Sequence, residues 1–446
     1  MLSTNMTRIL IIGAGRSAGS LIAYLLKHAS DNRWFITVTD VNLALAEAKT
    51  KGFKNCEAKT CDINNAVERQ EIIKANDVVV SMLPASMHGG VAKDCVEFGK
   101  HLFTASYVSA EMMELDKAAK TKGVLLMNEM GLDPGIDHAS AMKLIHQLQL
   151  KGADITSFKS FCGGLVAPES NDNPWGYKFS WNPRNVVLAG QGTAQYEDNG
   201  KLKYIPYNRI FTQIDTVAIS KHGLFDAYAN RDSMGYKNAY GLDTVKTLLR
   251  GTLRMPGYCK AWNVFVKLGL TDDTYMIKNT DSRTYTDLLE SFLPQGKASI
   301  KERLKVFMGS DYDADIELKL DYLELFSEKK IRLKEGNPAQ LLQDLLKEKW
   351  KLKAGDKDMI VMQHLFEYTL NGSKHTLTSS LVVIGDDENH TAMAKTVGLP
   401  LAITLKNFLA GKIKLSGVQI PISKEIYLPL LAELEDLGLK FEEDEN

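Results

Sequence analysis

Near its start, the chain has a short apolar run that breaks into small residues and then resumes at helical spacing. Residues Ile9–Ala18 read ILIIGAGRSA, and apolar residues recur as far as Leu26. Gly13 permits a tight turn, Gly15 lets backbone N–H groups approach a pyrophosphate, and Ala18 lets the helix pack closely on its strand. The helix N-terminus then faces the phosphates. This strand, turn and helix predict the start of a Rossmann-type dinucleotide-binding domain.

The second apolar strand, Trp34–Thr39, ends in Asp40. An acid about twenty residues after such a turn is where the adenine ribose is held. A carboxylate there accepts hydrogen bonds from the 2′-hydroxyl of NAD and repels the 2′-phosphate of NADP, so the sequence predicts NAD. The alternative is a structural glycine turn with an unrelated surface acid. Arg16, within the turn, stays open between a pyrophosphate contact and a salt bridge elsewhere.

Composition bounds the class of protein. The 446 residues suffice for about three domains of roughly 150 residues each, and 44% of them are hydrophobic. The net charge of -1 argues against a general nucleic-acid or membrane-surface binder. Apolar runs fall short of the roughly 20 residues that cross a bilayer, and the start MLSTNMTRIL has no signal-peptide core. We therefore expect a cytoplasmic protein that binds neither nucleic acid nor a membrane.

The cysteines and histidines indicate neither disulfides nor a metal site. The nine histidines are scattered, and the cysteines are widely spread without a C-x-x-C pair or a histidine at ligand spacing. The five cysteines are Cys56, Cys61, Cys95, Cys162 and Cys259. We expect no metal.

After Asp40, strands and helices alternate as a parallel sheet requires. Ligands of open α/β sheets bind outside the carboxyl ends of the strands, so the residues that follow each strand become candidates. They are Gly13–Arg16, Asp40, Asp62, Met82–Ala85, Ser106–Tyr107 and Asn128–His138.

The pattern predicts an α/β protein with three parts and a C-terminal segment. We expect a Rossmann domain over 1–135 plus about 390–415, a second α/β sheet domain over 136–270 plus 354–389, and a small all-helical domain over 271–353. Residues 416–446 are expected to pack on the core and to end in a solvated acidic tail at Glu442–Glu445. Within the second part, Phe161–Arg184 is interpreted as a glycine and aromatic binding loop, and Asn371–Gly372 as a hairpin turn.

Five segments resemble the fungal saccharopine reductase family, in the same order along nearly the whole chain. They read ASYVSAEMMELDKAAK, NEMGLDPGIDH, CGGLVAPESNDNPWGYKFSW, YANRDS and RGTLR. The resemblance implies a homodimeric, three-domain saccharopine dehydrogenase of the L-glutamate-forming type, acting in lysine metabolism. It also implies that the second sheet domain serves substrate binding and dimerisation.

Matched residue by residue, the resemblance implies two sets of contacts. The saccharopine contacts fall on Ser106, Tyr107, Asp133, Arg231, Thr252, Leu253 and Arg254. The nucleotide contacts fall on Gly13, Ala14, Gly15, Arg16, Asp40, Val41, Asn42, Cys61, Asp62, Met82, Leu83, Pro84, Ala85, Ala105, Ser106, Tyr107, Leu132, Asp133, Pro134 and Asn182.

The residue types suit the implied substrate. Saccharopine carries three carboxylates, which planar, bidentate cations such as Arg231 and Arg254 can hold. A structural ion pair is the alternative for each arginine. Oxidation to an imine and its hydrolysis need a proton acceptor, for which Asp133 is the hypothesis and Glu129 and His138 are the runners-up.

One position departs from the resemblance. The fungal reductase, which uses NADP, has an arginine just past its second strand, whereas this chain has Val41 directly after Asp40. The change favours NAD, with NADP possible, and saccharopine oxidation as the direction. The alternative enzyme is a carboxynorspermidine dehydrogenase, whose substrate has fewer carboxylates. A catalytically silent dinucleotide-binding scaffold is the alternative from another class.

Overall fold

The computed structural model describes residues 6–446, in which strands and helices first alternate and a strand-rich stretch follows. The alternating elements are β1 (Thr7–Ile12), α1 (Gly19–Asn32), β2 (Trp34–Asp40), α2 (Leu43–Thr50), β3 (Cys56–Thr60), α3 (Ala66–Lys74), β4 (Val78–Ser81), α4 (His88–Phe98), β5 (His101–Thr104), α5 (Ala110–Glu114), α6 (Asp116–Thr121), β6 (Leu125–Met127) and α7 (Ile136–Leu150).

The remaining elements form two further groups in chain order. The first group is β7 (Asp154–Val166), α8 (Pro183–Val187), β8 (Ala194–Asp198), β9 (Lys201–Ile205), α9 (Tyr207–Ile210), β10 (Asp215–Ile219), β11 (Gly223–Ala229), β12 (Thr247–Arg254), α10 (Tyr258–Leu268), β13 (Ile277–Lys278), α11 (Tyr285–Phe292), α12 (Ile300–Met308), α13 (Ala314–Tyr322), β14 (Glu335–Gly336), α14 (Pro338–Lys349), β15 (Asp358–Leu370) and β16 (Ser373–Ile384). The second group is α15 (Ala392–Leu409), β17 (Gly417–Gln419), α16 (Lys424–Asp436) and β18 (Glu442–Glu445).

The chain divides into two compact units. The first is Met1–Ala153 with Asn389–Phe441, of which residues 1–5 lie outside the described residues, and the second is Asp154–Glu388 with Glu442–Asn446. The sequence predicts three parts whose boundaries differ from those of the two units. That three-part division stays a prediction.

The first unit is built on a seven-stranded sheet in the order β17-β6-β5-β4-β1-β2-β3, and every pairing in it is parallel. Its interior strand β1 is fully buried from Ile9 to Ile12, as a strand covered on both faces must be. The predicted Rossmann-type sheet is confirmed. The late helix α15 packs on α1, as the sequence predicts, and it does so closely, because a Cβ at Gly398 would lie 2.8 Å from the backbone nitrogen of Leu21.

The second unit is built on a nine-stranded mixed sheet. Its main path is β10-β11-β12-β7-β15-β16-β18, with β7 parallel to β12 and antiparallel to β15, and with the hairpin β8-β9 attached to β12. The long hairpin of β15 and β16 turns through Asn371 at φ 51° and Gly372 at φ 82°. Two consecutive positive φ angles are typical of a type I′ turn, so the predicted Asn-Gly hairpin is confirmed.

The second unit also holds the segment expected to be a separate all-helical part. It contains α11 to α14 and, in addition, the two-stranded ribbon β13-β14. Its buried residues, such as Leu345 and Trp350, belong to the same hydrophobic cluster as Phe161 and Leu253 from the sheet. One continuous core therefore joins these helices to the sheet.

Two local expectations are corrected. Phe161–Val166 lies on β7 instead of in a loop, and Trp175, Tyr177 and Phe179 are buried in the core of the second unit. The acidic residues Glu442–Glu445 form an exposed edge strand paired with β16, whereas the sequence suggested an unpaired tail. In both cases the partner that orders the segment is far away in the chain.

Candidate active site

The glycine turn after β1 has the geometry that its sequence predicts. Gly13 adopts φ +99°, and a Cβ at this position would lie 2.9 Å from the carbonyl oxygen of Met82. Its N–H donates to the carbonyl of Thr39 at 2.7 Å. A side chain is excluded here by both the backbone angle and the neighbouring strand, so the tight turn after β1 requires glycine.

Gly15 is small for a different reason. Its φ is -64°, which any residue adopts, and a Cβ added to it would meet nothing within 4 Å. Packing within the protein therefore does not explain a glycine here, whereas the close approach of a pyrophosphate does. Gly15 and Arg16 are both exposed, and a short 3-10 turn leads from them into α1. The turn fits a dinucleotide phosphate at the start of this helix.

Asp40 lies beside the glycine turn. One carboxylate oxygen accepts the N–H of Ala14 at 2.8 Å, and the other accepts the N–H of Asn42 at 2.9 Å. The acid thus ties the end of β2 to the turn after β1. Val41 is 69% exposed, and the Asn42 side chain caps α2 by accepting the N–H of Ala44.

The other residues predicted to follow strand ends gather at the same edge of the sheet, because all its strands are parallel. Cys61 and Asp62 follow β3, Met82–Ala85 follow β4, and Ala105–Tyr107 follow β5. Cys61 is buried, which raises the pKa of its thiol, while exposed Asp62 accepts the N–H of Asn64 and shapes the turn.

The segment after β6 returns to the end of β5. The N–H of Met130 donates to Thr104 at 3.2 Å, and the N–H of Glu129 donates to the carbonyl of Ser106 at 3.0 Å. This pairing brings the predicted residues Leu132–Pro134 to the same edge, where the Tyr107 hydroxyl donates to Asp133 at 3.3 Å. Two of the predicted substrate contacts are therefore in direct contact with each other.

Glu129 and His138, the other candidates for the proton acceptor, form a buried pair. His138 Nε2 lies 2.8 Å from Glu129 Oε2, and the second oxygen of Glu129 accepts the N–H of Val108 at 3.0 Å. His138 is 0% exposed, and Glu129 is 4% exposed at φ 56°. These bonds tie Glu129 to the backbone after β5 and to α7.

His88 is a further residue at this edge, and it is not among those predicted from the sequence. It begins α4, is buried, and contacts Ser81, Thr104 and Ser106 with its two ring nitrogens. No spacing in the sequence distinguishes it from the other scattered histidines. Its one signal is its position, three residues after the predicted loop Met82–Ala85.

Arg254 is a buried charged group of the second unit. It ends β12, is 4% exposed, and has its guanidinium 5.4 to 5.9 Å from the ring centres of Tyr177, Tyr228 and Tyr258. Nη1 donates to the Leu253 carbonyl at 3.0 Å, and Nη2 lies 3.5 Å from the Tyr228 hydroxyl.

Arg254 has spare hydrogen-bonding capacity. Nε has no acceptor, and among residues 6–446 no carboxylate forms an ion pair with this arginine. The structural ion pair considered as the alternative for Arg254 is therefore wrong. A buried guanidinium without a counter-ion is costly, and a carboxylate ligand would complete it.

The three tyrosines around Arg254 stay neutral. Burial raises the pKa of Tyr177, Tyr228 and Tyr258, although Arg254 lowers it, so all three keep their hydroxyl protons at neutral pH. Asp226 accepts the N–H of Gly257 at 2.9 Å and so fixes the start of α10, which carries Tyr258. Burial raises the pKa of this carboxyl.

The other residues predicted in the second unit differ in exposure. Thr252 is half-buried and hydrogen-bonds with the Tyr228 side chain, while Leu253 is fully buried and offers only its backbone. Arg231 is exposed and adopts φ 52°, a left-handed conformation uncommon outside glycine. Asn182 caps α8 by accepting the N–H of Arg184, and its nucleotide contact remains a prediction.

Residues 6–446 offer neither a membrane-spanning helix nor a metal-binding cluster. No helix there is both long and apolar enough to cross a membrane. The same residues contain no group of three or more histidine, cysteine or acidic side chains arranged to hold a metal ion.

The parallel sheet, the glycine turn and the acid after β2 define a pyridine-nucleotide-binding oxidoreductase unit. Residues 9–127 match the family model described as the saccharopine dehydrogenase NADP binding domain, and residues 131–439 match the saccharopine dehydrogenase C-terminal domain. The chain belongs to the saccharopine dehydrogenase family, which confirms the resemblance.

Individual relatives agree along the whole length. The chain is 34% identical to saccharopine dehydrogenase [NADP(+), L-glutamate-forming] of Schizosaccharomyces pombe, with 98% of this chain and 99% of the relative covered. It is 36% identical to the mitochondrial alpha-aminoadipic semialdehyde synthase of Mus musculus, covering 97% of this chain and 47% of that protein. The apo saccharopine dehydrogenase (L-Glu forming) of Saccharomyces cerevisiae superposes with a TM-score of 0.88 at 33% identity, covering 99% of this chain and 100% of that one.

Alanine substitutions at the two glycines of the turn should have different effects. We expect Gly15→Ala to keep the melting temperature within about 1 °C while weakening dinucleotide binding roughly tenfold, because the new methyl group occupies the space for the pyrophosphate. Gly13→Ala should instead lower the melting temperature, since its Cβ meets the backbone of Met82. Thermal denaturation and a calorimetric titration with NAD and NADP measure both. Unchanged dinucleotide affinity in Gly15→Ala contradicts the placement of the phosphate.

Proposed function

We propose that the chain oxidises L-saccharopine to L-glutamate and L-2-aminoadipate 6-semialdehyde with a pyridine nucleotide, reversibly, in lysine metabolism. The observation that carries the proposal is the buried, unpaired guanidinium of Arg254 in a chain of this family. Saccharopine has three carboxylates, and one of them can pair with this guanidinium. The comparisons do not favour the alternative substrate carboxynorspermidine.

The reaction needs positioning and one proton acceptor from the protein. A hydride leaves the lysyl carbon next to the bridging nitrogen for the nicotinamide when the dinucleotide is bound, and the nitrogen loses its proton. Water then adds to the resulting imine, and the carbon–nitrogen bond breaks to release the amine of glutamate and the aldehyde. The protein holds the reacting groups in line and accepts the proton at a fixed atom.

The proposed substrate contacts differ in the kind of support they have. Arg254 has a spare donor, and Tyr107 contacts Asp133 at 3.3 Å. Asp133 is half-buried at the carboxyl edge of the sheet, where a carboxylate can accept the proton of the secondary amine. The remaining proposed contacts are Ser106, Arg231, Thr252 and the backbone of Leu253.

For the cofactor we propose a preference for NAD over NADP. Both oxygens of Asp40 are fixed by backbone N–H groups, which holds the negative charge beside the glycine turn. A 2′-phosphate at that position would be repelled. The fungal relatives are named for NADP(+), which supports a pyridine nucleotide as the cofactor. The proposed choice of NAD rests on Asp40.

We also propose that the chain forms a homodimer through the second sheet domain and is cytoplasmic. Both rest on the resemblance and on the composition of the chain. The mouse relative is named as mitochondrial.

Arg254→Met tests the substrate. We expect the KM for saccharopine to rise about 100-fold, because a desolvated charge pair with a substrate carboxylate is lost. The melting temperature should stay level or rise, since the variant removes a buried cation that has no counter-ion in the protein. Steady-state kinetics and thermal denaturation measure the two effects. Arg332→Met, at an exposed ion pair, is the control. A loss of several degrees with an unchanged KM assigns Arg254 a structural role instead.

Asp133→Asn tests the proton acceptor. The variant should bind saccharopine within a few-fold of the wild type, while kcat falls by about 10²-fold or more, as expected when a general base is removed. Binding is measured by titration and turnover by the appearance of reduced nicotinamide. Asp31→Asn on the exposed end of α1 provides the control. Poor binding with full turnover rules out the proposed role.

The cofactor preference is tested by kcat/KM with NAD against NADP. We expect the wild type to favour NAD by about tenfold or more, because of repulsion between Asp40 and the 2′-phosphate. Asp40→Ser combined with Val41→Arg should reverse the preference, whereas Val41→Ala should leave it unchanged. A wild-type preference for NADP is the result that contradicts the proposal.

A further inference from the structure

His88 connects the ends of two neighbouring strands at the carboxyl edge of the sheet. Its Nδ1 lies 2.9 Å from the hydroxyl of Ser81, the last residue of β4. Its Nε2 lies 2.8 Å from the hydroxyl of Ser106, two residues after β5, and 3.2 Å from that of Thr104. Ser106 is half-buried at the edge where the nucleotide and substrate contacts gather, whereas His88 is 4% exposed.

The buried hydroxyl of Ser81 determines which nitrogen carries the proton. Ser81 is 1% exposed, and among residues 6–446 its hydroxyl reaches only His88 Nδ1. The Thr104 hydroxyl is also buried and reaches the imidazole, but its 3.2 Å contact with Nε2 is longer than the 2.9 Å contact of Ser81 with Nδ1, so Ser81 is the hydroxyl that donates and Nδ1 accepts. A neutral imidazole has one N–H and one lone pair, and the N–H is then on Nε2. That N–H donates to Ser106, with Thr104 as a second, longer acceptor.

The consequence concerns the hydrogen of Ser106. When a lone pair of its oxygen accepts from His88, its own O–H points elsewhere and is available to a ligand. Burial lowers the pKa of His88 to about 4, which keeps the imidazole neutral at neutral pH. A histidine cation would lose the bond from Ser81.

We propose that His88 is a positioning residue that holds Ser106 as a hydrogen-bond donor to the bound substrate. The inference rests on the proposed function, because it takes the ligand to be saccharopine. Ser81 fixes the imidazole, the imidazole fixes the Ser106 oxygen, and Ser106 presents its hydrogen to a carboxylate. His88 itself does not contact the substrate.

The kinetic test is a double-mutant cycle. His88→Ala should raise the KM for saccharopine about tenfold, with kcat changed less than about twofold, since an oriented binding contact is lost. His88→Gln, whose amide N–H can replace Nε2–H, should restore most of the affinity. In a Ser106→Ala background, His88→Ala should have no further effect on KM. An undiminished effect in that background shows that His88 acts through packing and overturns the proposal.

A second measurement does not depend on the substrate. In the ligand-free protein labelled with ¹⁵N-histidine, the resonance lost in His88→Gln identifies His88, and we expect a neutral ring with its proton on Nε2 at neutral pH. Ser106→Ala should shift the Nε2 resonance. A proton on Nδ1, a cationic ring or an unchanged Nε2 shift overturns the proposal. Absence of saccharopine oxidation by the wild type would instead refute the proposed function, while the spectrum still decides the bond between His88 and Ser106.

Discussion

The parallel pairing of the strands in the first unit is the constraint on which the rest of the nucleotide site depends. Parallel hydrogen bonding places every strand's carboxyl end at one edge, and β1 lies between β2 and β4. The turn after β1 must therefore pass between two occupied strand ends. Gly13 is pressed against Met82 on one side, while Asp40 holds the N–H of Ala14 on the other. The site is assembled from residues far apart in the sequence because the sheet brings their strands together.

Two buried cations of the second unit, Lys178 and Arg254, have different partners. Lys178 is 1% exposed, yet Asp172 and Asp356 contact its ammonium group at 2.8 and 2.7 Å, and this lysine lowers the pKa of Asp172 to about 2 together with Lys353. Arg254 is about as deeply buried and has aromatic faces in place of carboxylates. Cation–π contacts compensate only part of the lost hydration of a guanidinium. The fold neutralises one buried cation and leaves the other without a counter-ion, which is why Arg254 is the one we propose to bind a substrate carboxylate.

Local patterns predicted what depends on neighbouring residues. The apolar run with Gly13 and Gly15 indicated the strand, turn and helix, and Asn371–Gly372 indicated the hairpin, because both signals reflect backbone angles set within a few residues. The strand ends then predicted which residues share one edge of the sheet. The role of Trp175 in the core could not be read in this way, since a run of glycine and aromatic residues has no period.

Contacts between distant segments account for the remaining differences. Glu442–Glu445 is acidic and exposed, and only the edge of β16 makes it a strand. His88 depends in the same way on the ends of β4 and β5, and nothing in its own helix marks it. Even the resemblance, which covers nearly the whole chain, implies ligand contacts such as Ser106 and does not include the buried histidine that contacts it.

Asp40 shows how structural and functional demands combine in one side chain. The carboxylate that would select the dinucleotide is also a hydrogen-bond acceptor for the glycine turn, through the N–H of Ala14. Its position is therefore fixed by the backbone before any ligand binds, and the charge cannot rotate away from a 2′-phosphate without leaving that N–H without its partner. A substitution of Asp40 therefore removes a charge and a hydrogen-bond acceptor at once. The charge of Asp40 and the stability of the turn are consequently coupled in this chain.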